Sequence, residues 1–352
     1  MEWAKPEYSR NQVDKAAKII IGEEPNFFSP EWDAYVKARE IVDNWRSSHN
    51  YPLNTFKVTL RRKAHLVDAS SVIAQRIKRM SSIEAKLRRF KTMQMCQMQD
   101  LGGCRAIVIS NSKVRDLMKL YEKSDIRHTL DDIDDYISKP KKSGYRGVHL
   151  IYKYQSDKPI PTVYNGLFIE MQLRTRRQHA WATAVETVGT FLRQSLKASQ
   201  GEERWLRFFS LMGSVIAFSE GSSATVPDTP VKKGALISEL RDAAGKLNVL
   251  ATLKNYSQAV QVATEGTLKG HYYFLLRLVP QQGKMTVTGF PKKMLEEASK
   301  RYTEVEKEIA GQPGAEAVLV SVESMSQLKR AYPNYFLDTD AFLAEVKEAL
   351  KR

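Results

Sequence analysis

The sequence predicts an α+β protein with a mixed β-sheet flanked by helices, followed by a second, smaller domain. Helix-like and strand-like patterns alternate up to about residue 190, and a stretch rich in Ser, Thr and Pro at residues 219–230 is typical of a linker. A chain of 352 residues has the length of about two ordinary domains. The predicted parts are residues 1–218, a linker and connecting helix at 219–264, and a C-terminal domain at 265–352.

Composition narrows the classes of partner and location. The net charge of +15 indicates a partner rich in negative charge, namely nucleic acid, a nucleotide or an anionic membrane. Transmembrane helices are excluded because no run of 18 apolar residues occurs. Cys96 and Cys104 form neither a disulfide framework nor a C-x-x-C zinc motif. Residues 1–10 contain no apolar signal segment, so we expect a cytoplasmic protein without a membrane partner.

The N-terminal region predicts helices. Ser9 begins an amphipathic stretch to about residue 21, and Ser29-Pro30-Glu31 is typical of a helix start, with a helix to about residue 48. Residues 57–91 carry eleven Lys or Arg against two acidic residues. Their apolar residues have helical spacing, which predicts a helix with a basic outer face.

Strand-like runs follow at residues 104–110, 148–154 and 167–174. A helix at residues 112–124 and an acidic loop at 131–135 separate them. The C-terminal half predicts a further set of elements. Helices are expected at 178–218, 235–264 and 292–309 and from 339 onward, and strands at 271–280, 284–289 and 317–322.

The run Leu167-Phe-Ile-Glu-Met-Gln-Leu-Arg174 carries the strongest chemical signal. Alternation in a strand places Glu170, Gln172 and Arg174 on one face. A carboxylate, an amide and a guanidinium then share a surface. Two interpretations follow: an edge strand with solvated polar residues, or a catalytic surface.

Two further segments carry chemistry. In Asp100-Leu-Gly-Gly-Cys-Arg105, a carboxylate precedes a strand with an arginine, which suits Mg²⁺ binding or, alternatively, a tight turn. The loop at residues 135–149 is basic and rich in glycine. Its Tyr145 looks exposed and able to stack on a nucleobase beside Lys141, although a mobile basic turn has the same pattern.

Together with the basic run Arg76-x-Lys78 … Lys86-Leu87-x-Arg89, these segments resemble the RelA/SpoT-type pyrophosphokinase domain over roughly residues 50–190. The resemblance implies a mixed sheet flanked by helices. It also implies transfer of the β,γ-pyrophosphate of ATP to a ribose hydroxyl, with Mg²⁺ as cofactor. No P-loop motif occurs, and no His-Asp dipeptide of the hydrolase half of bifunctional members.

The resemblance also implies roles for individual residues. Asp100 and Glu170 would bind the metal, and Glu170 would act as general base. The implied ATP-binding residues are Arg76 and Arg105 around the adenine, and Lys78, Lys86 and Arg89 on the triphosphate. The implied acceptor-binding residues are Lys141, Tyr145, His149, Gln172, Arg174 and His179.

The acceptor has more than one candidate. Guanosine nucleotides are usual in this family, which would make the chain a (p)ppGpp alarmone synthetase, or a (p)ppApp synthetase with an adenosine nucleotide as acceptor. The segment at residues 174–182 resembles the toxic small members that modify the 3′ end of tRNA, and the basic excess suits a polyanion. A non-catalytic RNA-binding protein is the third hypothesis. Asp100 and Glu170 count against it, because carboxylates weaken binding to a polyanion.

The C-terminal segment Ala331-Tyr-Pro-Asn-Tyr335 resembles the antitoxin domain of CapRel-type fused toxin–antitoxins. The resemblance implies a small pseudo-zinc-finger-like α/β domain and an anti-phage role. Tyr332 and Tyr335 would be autoinhibitory and stack on Arg76 and Arg105 at the adenine site. A phage protein, typically the major capsid protein, would bind this domain and release the enzyme. The alternative is an aromatic pair packed in a core.

Overall fold

The computed structural model describes residues 3–192, 196, 201–222, 224–258, 261–265, 268, 270–312, 314–322 and 324–351. Parts of three predicted elements lie outside the described residues. They are residue 223 of the linker, residues 259 and 260 of the helix predicted at 235–264, and residues 193–195 and 197–200 of the helix predicted at 178–218.

The described residues form an α+β fold, as predicted. The helices are α1 (Arg10–Ile20), α2 (Trp32–Ser48), α3 (Asn50–Val67), α4 (Met80–Arg89), α5 (Asn111–Glu122), α6 (Arg176–Leu192), α7 (Glu203–Ser219), α8 (Lys233–Lys246), α9 (Val249–Gln258), α10 (Leu295–Glu308), α11 (Met325–Ala331) and α12 (Asp340–Lys351). The strands are β1 (Val72–Ile77), β2 (Gly102–Val108), β3 (Thr129–Asp135), β4 (Val148–Lys153), β5 (Phe168–Thr175), β6 (Gln261–Glu265), β7 (Tyr273–Val279), β8 (Lys284–Phe290) and β9 (Glu316–Ser321).

All of these strands belong to one mixed sheet in the order β3-β4-β5-β2-β1-β9-β7-β8-β6. β5 runs parallel to β2 and antiparallel to β4, so it is an interior strand. β9 joins the two halves by pairing with β1, where Gln75 lies opposite Ser321 and Arg76 opposite Val320. The sheet therefore continues across the boundary predicted at residue 265, and the predicted domain division stays a prediction.

The two faces of the first half of the sheet have different roles. On one face, apolar side chains of β1, β2 and β5 such as Ile73, Ala106 and Met171 form a core with α3. On the other face, Ala74 and Ile107 pack with the C-terminal segment after β9. Since the chemistry-bearing residues alternate with the apolar residues of the first core, they lie on this second face.

Buried polar contacts also connect the N-terminal helices to the C-terminal half. Arg46 of α2 is buried and its Nη1 donates to Glu306 Oε2 of α10 at 2.8 Å. Lys57 of α3 is buried, and its Nζ donates to Ser321 Oγ of β9 at 2.6 Å. Removing one member of such a buried charged contact leaves the other in a poor environment, so these contacts favour docking of the two halves.

Several predicted elements are confirmed. α1 begins at Ser9, whose side chain accepts from the Gln12 backbone N–H while the Gln12 side chain accepts from the Ser9 backbone, a capping box. The strands predicted at 104–110, 148–154 and 167–174 correspond to β2, β4 and β5.

Two predictions in the first half are wrong. The helix predicted over 57–91 contains β1, because Val72–Ile77 finds partners in β2 and β9 that helical spacing does not reveal. The acidic loop predicted at 131–135 belongs to the edge strand β3, in which Asp131 and Asp132 are exposed. Acidic side chains are tolerated there and protect an open sheet edge from other strands.

The helical region predicted at 178–218 contains α6 and α7, whereas one long helix predicted in the second half is interrupted. The helix predicted at 235–264 is divided into α8 and α9 by a turn at Asn248, which has a positive φ of 45°, and β6 follows. Asn is among the residues that tolerate this conformation best. Within the described residues no helix is long and apolar enough to cross a membrane.

Candidate active site

The centre of the candidate site lies on β5. Gln172 Nε2 donates to Glu170 Oε2 at 2.6 Å, and Arg174 Nη2 donates to Gln172 Oε1 at 2.6 Å. The predicted alternation is thus confirmed, and the three polar groups form a hydrogen-bonded row. Because β5 is interior and Glu170 and Arg174 are buried, the interpretation as a solvated edge strand is wrong.

The row continues onto β4 and the loop before it. His149 Nδ1 lies 2.8 Å from Glu170 Oε1, and His149 Nε2 lies 2.6 Å from the Tyr145 hydroxyl. A carboxylate accepts only, so Nδ1 carries the proton; in the neutral imidazole Nε2 then accepts from Tyr145. The Arg174 guanidinium lies 5.1 Å from the centroid of the Tyr145 ring, so the two ends of the row are also in contact.

Asp100 lies just before β2 and faces two predicted phosphate ligands. Lys78 Nζ donates to Asp100 Oδ2 at 2.7 Å, and Lys86 Nζ donates to Asp100 Oδ1 at 2.9 Å. Lys78 follows β1 and Lys86 lies on α4, so three separate segments converge here. We call Asp100, Glu170, their hydrogen-bond partners and Tyr145 the carboxylate side of the site.

Both carboxyl groups of this side favour the ionised form. Burial opposes ionisation of Glu170, but interactions with His149 and Gln172 outweigh it and hold its pKa well below the usual range. Burial also opposes ionisation of Asp100, and the charge of Glu170 adds to that effect. Lys78 and Lys86 nevertheless lower the pKa of Asp100.

The donor atoms of the carboxylate side fit a magnesium ion. Mg²⁺ prefers oxygen ligands and is commonly held by one or two carboxylates together with substrate phosphates. Asp100 and Glu170 provide such oxygens and lie close enough for their charges to interact. Among the described residues, no three His, Cys, Asp or Glu side chains converge, so the remaining ligands would come from phosphate and water.

The predicted adenine site is covered by the C-terminal segment. The Arg105 guanidinium lies 5.0 Å from the centroid of the Tyr332 ring, and its Nη1 lies 3.5 Å from the Ala331 carbonyl oxygen. Arg76 interacts electrostatically with both Tyr332 and Tyr335. We call these two arginines and two tyrosines the tyrosine side of the site.

The two tyrosines follow α11 at a 3₁₀ turn, Pro333–Phe336. Their rings are edge to face with centroids 6.4 Å apart. Tyr332 is 1% exposed, yet neither its hydroxyl nor that of Tyr335 has a hydrogen-bond partner among the described residues. Tyr335 also interacts with Arg79, which forms an ion pair with Glu316 of β9. The tyrosine side is therefore held by ring packing and charge rather than by hydrogen bonds to the hydroxyls.

The structure gives Tyr145 a different setting from the exposed one expected. Its side chain is only 4% exposed and packs edge to face against Trp181 of α6, 6.3 Å between centroids. Gly144 permits this packing: its φ is +96°, and a Cβ there would lie 2.6 Å from the Phe209 carbonyl oxygen. The loop is thus pressed against α6 and α7, which the sequence pattern could not indicate.

Other predicted contacts lie around these two sides. Lys141 is exposed, with its ammonium 4.1 Å from the centroid of the Tyr136 ring and interacting electrostatically with Glu170, Lys86 and Arg89. Arg89 is exposed at the end of α4 and lies over Phe90. His179, predicted to bind the acceptor, donates from Nε2 to the Arg330 carbonyl oxygen at 3.1 Å, and its predicted role stays a prediction.

Sequence reasoning missed residues that complete the site. Tyr136 is partly exposed and lies edge to face with Tyr145 and His149, at 5.7 and 5.3 Å between centroids. Its position directly after an acidic run was the available signal. Arg79 is one of the basic residues of the 57–91 segment, and nothing in the sequence indicated its ion pair with Glu316 in the C-terminal half.

Comparison with known proteins finds a family match over the centre of the site. Residues 75–189, which contain the whole carboxylate side, match the model of the region found in RelA / SpoT proteins. The GTP pyrophosphokinase YjbM of Bacillus subtilis (strain 168) is 32% identical over 117 residues, which are 32% of this chain and 52% of that protein. The chain thus spans about half the length of this relative.

Solved structures give further similarities. The small alarmone synthetase 1 from Bacillus subtilis bound to its product pppGpp has a TM-score of 0.44 and 22% identity, covering 53% of this chain and 94% of that one. A GTP pyrophosphokinase family protein from Streptococcus pneumoniae has a TM-score of 0.41 and 21% identity, covering 55% and 93%.

Proposed function

We propose that the chain is an ATP-dependent pyrophosphokinase that transfers pyrophosphate to a nucleoside hydroxyl and is held inactive by its own C-terminal segment. The observation that carries the proposal is the convergence of Asp100, Lys78 and Lys86 beside Glu170, within the RelA / SpoT match. Two ionised carboxylates beside two ammonium groups suit a metal–triphosphate complex, whereas a simple polyanion-binding surface gains nothing from the carboxylates.

In the reaction, the acceptor hydroxyl oxygen forms a bond to the β-phosphorus of ATP. The bond from that phosphorus to the α,β-bridging oxygen breaks, AMP leaves, and Glu170 accepts the hydroxyl proton. Positioning and charge neutralisation dominate such transfers. Lys78 and Lys86 would exchange Asp100 for phosphate oxygens, while His149 and Gln172 orient Glu170. Bound Mg²⁺ would neutralise phosphate charge.

Inhibition follows from the tyrosine side. With Tyr332 over Arg105, an adenine cannot stack on the same guanidinium. The closed and open arrangements therefore compete, and a ligand that binds the open one shifts the equilibrium toward activity. Pyrophosphate transfer from labelled ATP tests this proposal. We expect little transfer by the full chain and strong transfer by the Tyr332→Ala variant, whereas no transfer by either with any acceptor would refute it.

For the acceptor, we propose the 3′ end of tRNA. The net charge of +15 and the basic segment after β5 support a polyanion. Several of the basic residues are engaged within the chain, however. Lys63 donates to Leu120, Arg176 to Ser70, and Arg177 pairs with Glu345. The proposed binding surface therefore includes the exposed Lys141, which lies close enough to Glu170 for their charges to interact.

A guanosine nucleotide is the second candidate, because the relative that is 32% identical is a GTP pyrophosphokinase. Supplying tRNA, GTP or ATP as acceptor to the released variant separates these possibilities. Label in tRNA, but none in tRNA whose terminal ribose was oxidised with periodate before the reaction, supports the 3′ end of tRNA as acceptor. Label in GTP or ATP with unmodified tRNA replaces it by alarmone synthesis.

As trigger, we propose a phage protein, in particular the major capsid protein, that binds the C-terminal part and favours the open arrangement. At the start of β7, the apolar residues Tyr273 and Phe274 are buried in the core. The trigger surface would therefore lie elsewhere in this part. Adding purified capsid protein to the full chain should raise transfer to the level of the Tyr332→Ala variant; unchanged transfer would refute this trigger.

A further inference from the structure

The inner face of α6 carries polar groups that the proposed mechanism does not use. Thr183 is 3% exposed and Thr187 is 0% exposed, and neither hydroxyl has a hydrogen-bond partner within the described residues. His179, 6% exposed, donates from Nε2 to Arg330, so in the neutral ring Nδ1 is an acceptor, and it too lacks a partner there. Buried polar groups are normally hydrogen-bonded, so three unpaired ones on one helix face require an explanation.

Helix geometry places these groups against the tyrosine side. At 100° per residue, Thr183 and Thr187 lie between His179 and Phe191 around the helix axis. His179 contacts Arg330, and Phe191 packs on the apolar cluster that contains Tyr332 and Tyr335. The opposite surface of α6, with Trp181 and Val188, packs into a different core. The threonine hydroxyls thus face the segment that covers the adenine site.

Electrostatic interactions with Arg76 and Arg105 also place this face of α6 beside the adenine site. Glu186, on the same face of α6, interacts electrostatically with Arg76, Arg105, Tyr332 and Tyr335. His179 interacts with Arg105 as well. The same face of α6 therefore borders both the tyrosines and the guanidinium groups that would hold a base.

We propose that α6 recognises the edge of the donor base. When Tyr332 and Tyr335 leave the adenine site, three groups of α6 bind the amino-bearing edge of the purine of ATP. They are the hydroxyls of Thr183 and Thr187 and Nδ1 of His179. The tyrosine rings fill the space of the purine ring but offer no donor or acceptor within reach of these three groups. The groups of α6 therefore remain unpaired while the tyrosines are in place. The adenine 6-amino group is a donor, and ring nitrogen N1 is an acceptor. This inference rests on the proposed function, because it assigns the base-recognition part of the same donor site.

Direct binding tests the inference without turnover. The Tyr332→Ala chain is titrated by calorimetry with ATP and with purine riboside triphosphate, which lacks the 6-amino group, in the absence of acceptor. Thr183→Val and Thr187→Val remove single hydroxyls at nearly constant volume. Each should weaken ATP binding by about tenfold, the typical effect of one hydrogen bond. Whichever of these two variants lacks the contact to the 6-amino group should bind ATP and purine riboside triphosphate equally well.

Thr190→Val is the matched control, since its hydroxyl already donates to the Glu186 carbonyl oxygen within α6. It should leave ATP binding unchanged. Thermal denaturation of all variants shows whether the fold is retained, and we expect retention because the removed hydroxyls are unpaired. Equal ATP binding by the parent, Thr183→Val and Thr187→Val overturns the inference alone. Failure of the Tyr332→Ala chain to bind ATP overturns the proposed function together with it.

Discussion

The carboxylate side and the tyrosine side occupy the same face of one sheet but are stabilised in different ways. On the carboxylate side, the polar ends of Tyr145, His149, Glu170 and Gln172 all have hydrogen-bond partners between 2.6 and 2.8 Å away. On the tyrosine side, the rings are buried but their hydroxyls are unpaired in the part of the chain that the structure describes. The first side is thus fixed by directional hydrogen bonds, whereas the second is filled by two rings whose hydroxyls find no partner among the described residues.

The largest expected effect tests the chemistry of the carboxylate side. In the Tyr332→Ala background, Glu170→Gln should lower the rate of pyrophosphate transfer by about 10²–10⁴-fold, because the amide cannot accept the hydroxyl proton. The rate of AMP formation at saturating ATP measures this. Asp132→Asn, which changes an exposed carboxylate on β3, serves as control and should have no effect. A loss shared by both variants would contradict a specific role for Glu170.

The next effect tests closure by the tyrosine side. Tyr332→Ala should raise the transfer rate of the full chain by up to about 100-fold, the gain available when a 99:1 closed equilibrium is opened. The ring that covers Arg105 is then missing. Steady-state rates of the two chains at equal concentration provide the measurement. Unchanged activity, with the variant still folded, would show that Tyr332 only stabilises the core.

The same small substitution on both sides sharpens the comparison. Tyr145→Phe removes the hydrogen bond to His149 and should lower activity of the released chain by about tenfold. Tyr332→Phe removes an unpaired hydroxyl and should keep the full chain as inhibited as before, or more so. The measurement is the transfer rate of each variant relative to its own parent, which is the released chain for Tyr145→Phe and the full chain for Tyr332→Phe. Release of activity by Tyr332→Phe would show that its hydroxyl does contribute to closure.

The smallest effect concerns pH. Burial, then Arg105 and Arg174, lower the pKa of His179 well below its usual value while it contacts Arg330. Opening would relieve the burial, which is the largest of these effects, whereas Arg105 and Arg174 stay near His179 in both states. The open state therefore takes up the proton more readily, so closure is complete above the ordinary His pKa of about 6.5 and weakens as the pH falls. The ratio of full-chain to Tyr332→Ala activity should therefore rise on acidification, by less than tenfold per pH unit. Both chains have the same catalytic residues, so the ratio of their activities removes the effect of pH on catalysis itself. A ratio that is constant from pH 7.5 to 5.5, or His179→Asn with an unaltered pH profile, would contradict this.

The sequence predicted what local periodicity controls. Alternation along β5 is sufficient to bring Glu170, Gln172 and Arg174 to one face, and the capping residues of α1 define its start. The burial of Tyr145 depends on α6 and α7 packing against Gly144, which are distant in sequence. Likewise, β1 became a strand because β2 and β9 pair with it, although its own residues also have helical spacing. Long-range partners decided each case in which the prediction was wrong.

The position of β9 and the tyrosines near the end of the chain also has a consequence during protein synthesis. Residues up to 189 contain the RelA / SpoT match, and Tyr332 is translated about 140 residues later, which takes roughly 7–30 s at ordinary elongation rates. During that interval the nascent chain exposes the β1 edge and the arginine face without their cover. Ribosome pausing within the later half would lengthen this interval, so codon usage there influences how long each new molecule remains uncovered.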